Sequence, residues 1–236
     1  MQAKAPLITP VLIAGSVILM LGFAIRASFG VFQIPIAEGF GWARAEFSLA
    51  IAIQNLAWGI GQPLFGMVAE RFGDRKAIVA GALMYAAGLI LSAYAVTPGQ
   101  MQLLEILVGF GIAGTGFGVI LAIVGRAAAP EHRSMALGIG TAAGSAGQVI
   151  GAPFAEFLLQ TMQMSWQSVF LVFAAIILLS LFALPFIRSP HVASKQELEE
   201  TMGQVLVKAI RDPSYTLIFL GFFSCGYQLA FITAHF

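Results

Sequence analysis

Long apolar runs separated by short polar breaks dominate this chain. Runs near 9–34, 45–68, 77–96, 101–124, 134–159, 166–187 and 215–236 are each close to the about 20 residues an α-helix needs to cross a bilayer core. The breaks have local causes. Gly39 and Gly41 flank the first turn, Pro98-Gly99 the third and Pro130 the fourth, and Ser189-Pro190 ends the sixth run. Runs this long without polar alternation exclude transmembrane β-strands. One stretch departs from the pattern, residues 188–214. There Ser194 followed by Glu197 makes a capping-box pair, and Leu198, Met202, Val205, Leu206, Ala209 and Ile210 recur at helical spacing before Pro213. This predicts a short amphipathic helix on the cytoplasmic surface. The alternative is a disordered linker, because Glu197, Glu199 and Glu200 crowd the polar side. The expected organisation is therefore a six-helix transmembrane bundle over 1–187, a linker with a short helix over 188–214, and a seventh helix over 215–236.

Composition turns these helices into membrane spans. Hydrophobic residues make up 59% of the chain, well above the roughly 45–50% of a soluble domain, and mean hydropathy is +0.90. A net charge of +1 gives no electrostatic footprint for nucleic acid. Cys225 is the only cysteine, so no intrachain disulfide forms, and no metal or cofactor is expected. The first run continues past the 7–15 residues of a signal-peptide core, into Arg26 and Phe29, and reads as a retained helix. Lysine and arginine then orient the chain. With a cytoplasmic N-terminus, Lys4, Arg71, Arg75, Lys76, Arg126, Arg133, Arg188, Lys195, Lys208 and Arg211 face the cytoplasm, ten of the twelve. Only Arg44 falls outside, and Arg26 lies within a span. The reading is a multi-pass protein of a bacterial inner membrane.

The densest charge cluster is the loop Gly66-Met67-Val68-Ala69-Glu70-Arg71-Phe72-Gly73-Asp74-Arg75-Lys76. It resembles the signature loop between helices 2 and 3 of the major facilitator superfamily of secondary transporters. That resemblance implies an all-α membrane protein built from two six-helix halves around a central cavity. This chain would supply the N-terminal half and the start of helix 7, with the C-terminal half missing. Arg26-Ala27-Ser28-Phe29-Gly30-Val31-Phe32, Gly41-Trp42, and Pro130-Glu131-His132-Arg133-Ser134 with the glycines that follow are similar to the monocarboxylate-porter-like branch. The function so implied is alternating-access transport of a small organic anion, often with a proton. Proton-coupled efflux of drugs or metabolites, and a non-transporting truncated half, are the alternatives. Where many proton-driven antiporters carry an arginine in helix 4, this chain has Glu105, and helix 5 lacks the paired glycines of the antiporter motif.

Particular residues carry these expectations. In the family, the loop acid (here Glu70) and the basic residues Arg71, Arg75 and Lys76 bridge helix ends and gate the cytoplasmic face, with Gly66 and Gly73 setting the turn. Arg26 is the costliest residue, because a charge in mid-bilayer costs about 2.5–3.5 kcal/mol on insertion scales. It must face a cavity or a carboxylate, or else snorkel to the surface. Gly22, Gly30 and Gln33 share its face, so a substrate-binding stripe is expected, with the planar guanidinium suited to a carboxylate. Glu105 is the proton-coupling candidate, with an ion pair to Arg26 or a surface position as alternatives. Gln54, Asn55 and Gln148 are intramembrane polar groups that serve either as substrate contacts or as helix–helix glue, as do Thr141 and Ser145. Uncharged spans 3 and 6 read as lipid-facing. An intramembrane Ser145/His235 protease is rejected, since His235 is penultimate in the chain, far from mid-membrane. No enzyme is expected.

Overall fold

The protein is described by a computed structural model that covers residues 6–188 and 202–235. Ser194 and Glu197 lie outside the described residues. The chain divides into two units, Met1–Pro190 and His191–Phe236.

Local chemistry sets the boundaries in the first unit. Helix α1 (Pro10–Ala27) starts where the Thr9 hydroxyl accepts the Leu12 N–H at 3.1 Å, with Pro10 in the first turn. A 3₁₀ turn (Phe29–Phe32) leads into α2 (Gln33–Phe40). Helix α3 (Arg44–Phe72) is the longest at 29 residues. Gly73, at φ +100°, ends it in a backbone conformation that a side chain would strain, and α4 (Asp74–Ser92) begins at once. Thr97 and Gln100 form a reciprocal capping box for α5 (Pro98–Thr115), which is followed by α6 (Phe117–Ala127). Helix α7 (Arg133–Glu156) closes in a π turn, and α8 (Trp166–Ser180) in a 3₁₀ turn, Leu181–Phe186.

Packing follows small residues. Helix α1 lies along α7, α5 is flanked by α3 and α4, and α4 also holds α8. Gly147 and Gly151 of α7 rest on the carbonyls of Met20 and Ala24, and a Cβ at Gly81 of α4 would sit 2.6 Å from the Gly114 Cα. Backbones approach this closely only without side chains, the usual device where lipid replaces water as solvent. Two apolar cores stack along the bundle. One gathers Phe29, Phe32, Tyr85, Leu89, Val108 and Phe170 toward the Gly41 end, and the other Leu19, Phe65, Ile78, Ile120 and Ile123 toward the Gly73 end.

Three expectations change. The run 101–124 is not one continuous helix, because Gly116 takes an extended conformation (φ −92°, ψ −168°) and divides it. Helix α4 is not lipid-facing throughout: Ala77, Ile78, Ala82, Tyr85 and Leu89 are fully buried against its neighbours. Among the described residues, four helical stretches are long and apolar enough to cross a membrane: Pro10–Phe40, Asp74–Ser92, Pro98–Ala127 and Trp166–Phe186. Helices α3 and α7 reach about 44 and 36 Å by rise per residue, but Gln54, Asn55, Gln62 and the charges at both ends of α3, and the glycines of α7, lower their apolarity.

In the second unit, α9 (Met202–Arg211) and α10 (Pro213–His235) meet at Asp212. Its carboxylate accepts the Ser214 N–H at 2.8 Å and so caps α10. Pro213 therefore opens a helix as well as closing the preceding run.

Candidate functional site

A buried polar layer crosses the apolar core nearer the Gly41 end, built on consecutive residues of α3. Gln54 and Asn55 are adjacent in sequence and so point about 100° apart on the helix. Asn55 Oδ1 accepts from an Arg26 Nη at 2.8 Å, while Gln54 Nε2 donates to Glu105 Oε2 at 2.7 Å. Arg26 is 5% exposed and Glu105 1%. Both alternatives that put them at the surface are therefore overturned; their helices turn them into the bundle. Nor do they pair with each other. Each holds its own α3 amide instead. Tyr85 donates its hydroxyl hydrogen to the Gly22 carbonyl at 3.2 Å and lies within electrostatic reach of both charges.

The layer is incompletely satisfied. Arg26 Nε, Glu105 Oε1, Trp58 Nε1 and Gln62 Oε1 are buried with no hydrogen-bond partner among the described residues. Buried polar atoms are almost always partnered in folded proteins. Several orphans in one region mark a place where a solute or water completes the set. The Arg26 guanidinium also lies over the Trp58 ring, 4.6 Å from its centroid, a cation–π contact that helps keep the charge in place. Trp58 was not among the sequence candidates. A tryptophan in an apolar run reads as packing, and only the topology brings its face under Arg26.

The other candidates separate from this layer. Gln33 donates to the Ser48 hydroxyl at 3.0 Å and to the Arg44 carbonyl at 3.5 Å, tying α2 to the start of α3. It therefore acts at the Gly41 end, because the 3₁₀ turn at Phe29–Phe32 rotates it off the Arg26 stripe. Gln148 is half-buried on α7 and makes no hydrogen bond among the described residues. Thr141 donates to its own helix at the Leu137 carbonyl, 2.9 Å. Ser145 is exposed.

At the Gly73 end the charged loop forms a second polar constellation. Glu70, Arg71, Arg75 and Lys76 are exposed and Gly66 is half-buried in open space, but Asp74 is 8% exposed. It accepts a 2.6 Å hydrogen bond from an Arg126 Nη on α6. Within this bundle Asp74 is the acid that bridges helix ends, while Glu70 is exposed, since the turn at Gly73 aims the residue after it across the bundle. Arg75 donates from Nε to the Ile187 carbonyl at 2.9 Å and from Nη to Pro185 at 3.1 Å. These bonds satisfy carbonyls that the end of a helix leaves open.

A sequence profile of the Major Facilitator Superfamily matches residues 12–236. The "Multidrug resistance protein MdtH" of Klebsiella pneumoniae (strain 342) is 30% identical over 222 residues, 92% of this chain and 53% of that protein. The "Uncharacterized MFS-type transporter YcxA" of Bacillus subtilis (strain 168) is 24% identical over 89% of this chain and 52% of its own length. Among solved structures, the "Inward open conformation of the xylose transporter XylE from E. coli" superposes with a TM-score of 0.66 over 95% of this chain and 55% of that one, at 14% identity. This chain spans about half the length of these relatives. It belongs to the Major Facilitator Superfamily.

Proposed function

From that membership we propose that the chain supplies the substrate-binding N-terminal bundle of a secondary transporter. It moves a small organic solute, a monocarboxylate-type anion, by alternating access, with a proton as candidate co-substrate through Glu105. The N-terminus and the Gly73 end face the cytoplasm of a bacterial inner membrane. A second bundle completes the cavity, since alternating access works by rocking two repeats about a shared site.

One observation carries the substrate class: a guanidinium buried in the bundle with no carboxylate partner among the described residues. An uncompensated buried cation is expensive, and a carboxylate solute both neutralises it and fits its planar donors. The second reading, efflux of drugs or metabolites, draws on relatives named multidrug resistance proteins and on the buried Glu105, whose free oxygen suits a cationic solute.

Ligand-induced thermal stabilisation of the purified chain separates the two. A ligand at a hundred times its Kd adds about 2.7 kcal/mol. Oxalate, pyruvate and lactate should raise the melting midpoint by several degrees, lipophilic cations should not, and Arg26→Lys should abolish the shift. Stabilisation by the cations alone would replace the anion reading with the efflux one.

A further inference from the structure

We propose that Trp58 is a substrate-binding residue, whose indole N–H donates to the same carboxylate that Arg26 receives. The inference rests on the anion reading above and goes beyond it by naming the second contact.

Two buried hydrogen-bond donors lie close together, each without a partner among the described residues. Arg26 uses one Nη on Asn55 and leaves Nε unpartnered, while Trp58 Nε1 is likewise buried and unpartnered. The guanidinium carbon sits 4.6 Å from the indole centroid, so one small solute reaches both groups. The indole is fixed in this pose. Phe23 meets it edge-on at 5.9 Å, and Gly109 of α5 lies so close to the Trp58 backbone that a Cβ there would come within 3.0 Å of its nitrogen. The N–H edge looks toward the break between α5 and α6. A Cβ at Gly116 would lie 3.5 Å from Nε1, and glycine there leaves that edge uncovered by any side chain of its own. Indole nitrogen is a donor only. Arg26 Nε and Trp58 Nε1 are both donors left unpartnered, and an ionised carboxylate offers two oxygens, one for each. Trp58 therefore contributes twice, holding the guanidinium on its face and binding the solute through its edge.

The test uses the whole chain in lipid nanodiscs with radiolabelled oxalate. Trp58→Phe keeps a ring beneath Arg26 and removes only the N–H. Equilibrium dialysis should show oxalate affinity falling about tenfold or more, the usual loss for a hydrogen bond to a charged partner, with helicity and melting midpoint unchanged. A chain carrying ¹⁵N-tryptophan gives three indole N–H signals, for Trp42, Trp58 and Trp166. Oxalate should shift the Trp58 signal downfield and leave the other two in place, and substitution of Trp42 and Trp166 in turn assigns it even if Trp58→Phe does not fold. If Arg26→Lys loses oxalate while Trp58→Phe keeps it and the indole signal stays still, the role of Trp58 is overturned and the anion reading stands. If wild type binds no oxalate, or Arg26→Lys binds it equally, both fall.

Discussion

The Asp74–Arg126 pair offers the sharpest quantitative test, because its burial sets its strength between two known limits. A hydrogen bond to a charged group in a folded interior contributes about 1.5–3 kcal/mol, whereas an exposed ion pair contributes about 0–1 kcal/mol. The Arg126 side chain is 25% exposed and Asp74 9%. Their 2.6 Å contact should therefore couple by about 1–2 kcal/mol, discounted for solvent on the arginine side. Asp74 makes a further interaction besides this hydrogen bond, so Asp74→Asn alone overstates the pair. A double-mutant cycle with Arg126→Gln isolates it. The assay is SDS titration in mixed micelles followed by far-ultraviolet circular dichroism. At 1 M salt, where the Debye length is about 3 Å, at least half the coupling should persist, because the carboxylate is shielded from ions. Glu70→Gln, four residues earlier and exposed, should stay within about 0.5 kcal/mol of wild type. A coupling below about 0.3 kcal/mol, or a larger effect at Glu70, would refute the assignment and reduce the loop to a membrane-orientation signal.

Two further expectations concern packing and orientation. Gly147→Ala would press a methyl group onto the Met20 carbonyl and lower stability by about 1–3 kcal/mol, as overpacking does, while Gly138→Ala, with open space around it, should be neutral or stabilising in the same titration; equal effects would show that α1 and α7 do not rely on close backbone approach. In a Cys225→Ser background, a single cysteine at Gln100 should react with an impermeant thiol reagent in intact cells and one at Glu131 should not; the reverse pattern would invert the proposed orientation.

What the sequence revealed and what it withheld divide along a physical line. Span lengths, turn positions and the cost of Arg26 and Glu105 in lipid are local properties, legible from apolar runs, glycines and prolines. Partner choice is not local. Asp74 meets Arg126 across 52 positions and Arg75 meets Ile187 across 112, so the loop motif announced a charged turn without saying which acid closes it. Gln33 looked continuous with Arg26 under a uniform helical period, and a four-residue 3₁₀ turn was enough to detach it. Trp58 was hidden by its own chemistry, since an aromatic residue in a membrane helix has an ordinary packing role until a cation is found on its face.

The break at Gly116 has a mechanical consequence. It divides one membrane-length rod into segments of about 27 and 16 Å, and each answers to different neighbours: α5 is clasped by α3 and α4, α6 chiefly by α7 and α1. With the backbone extended at that glycine, the hydrogen-bond ladder stops and restarts. Gly116 therefore lets the two segments of one membrane crossing take their own directions within a single compact unit. The shorter segment carries Arg126 and its bond to Asp74. The longer carries Glu105 and its bond to Gln54, so the core layer and the Gly73-end ion pair are built on separately directed pieces of one crossing.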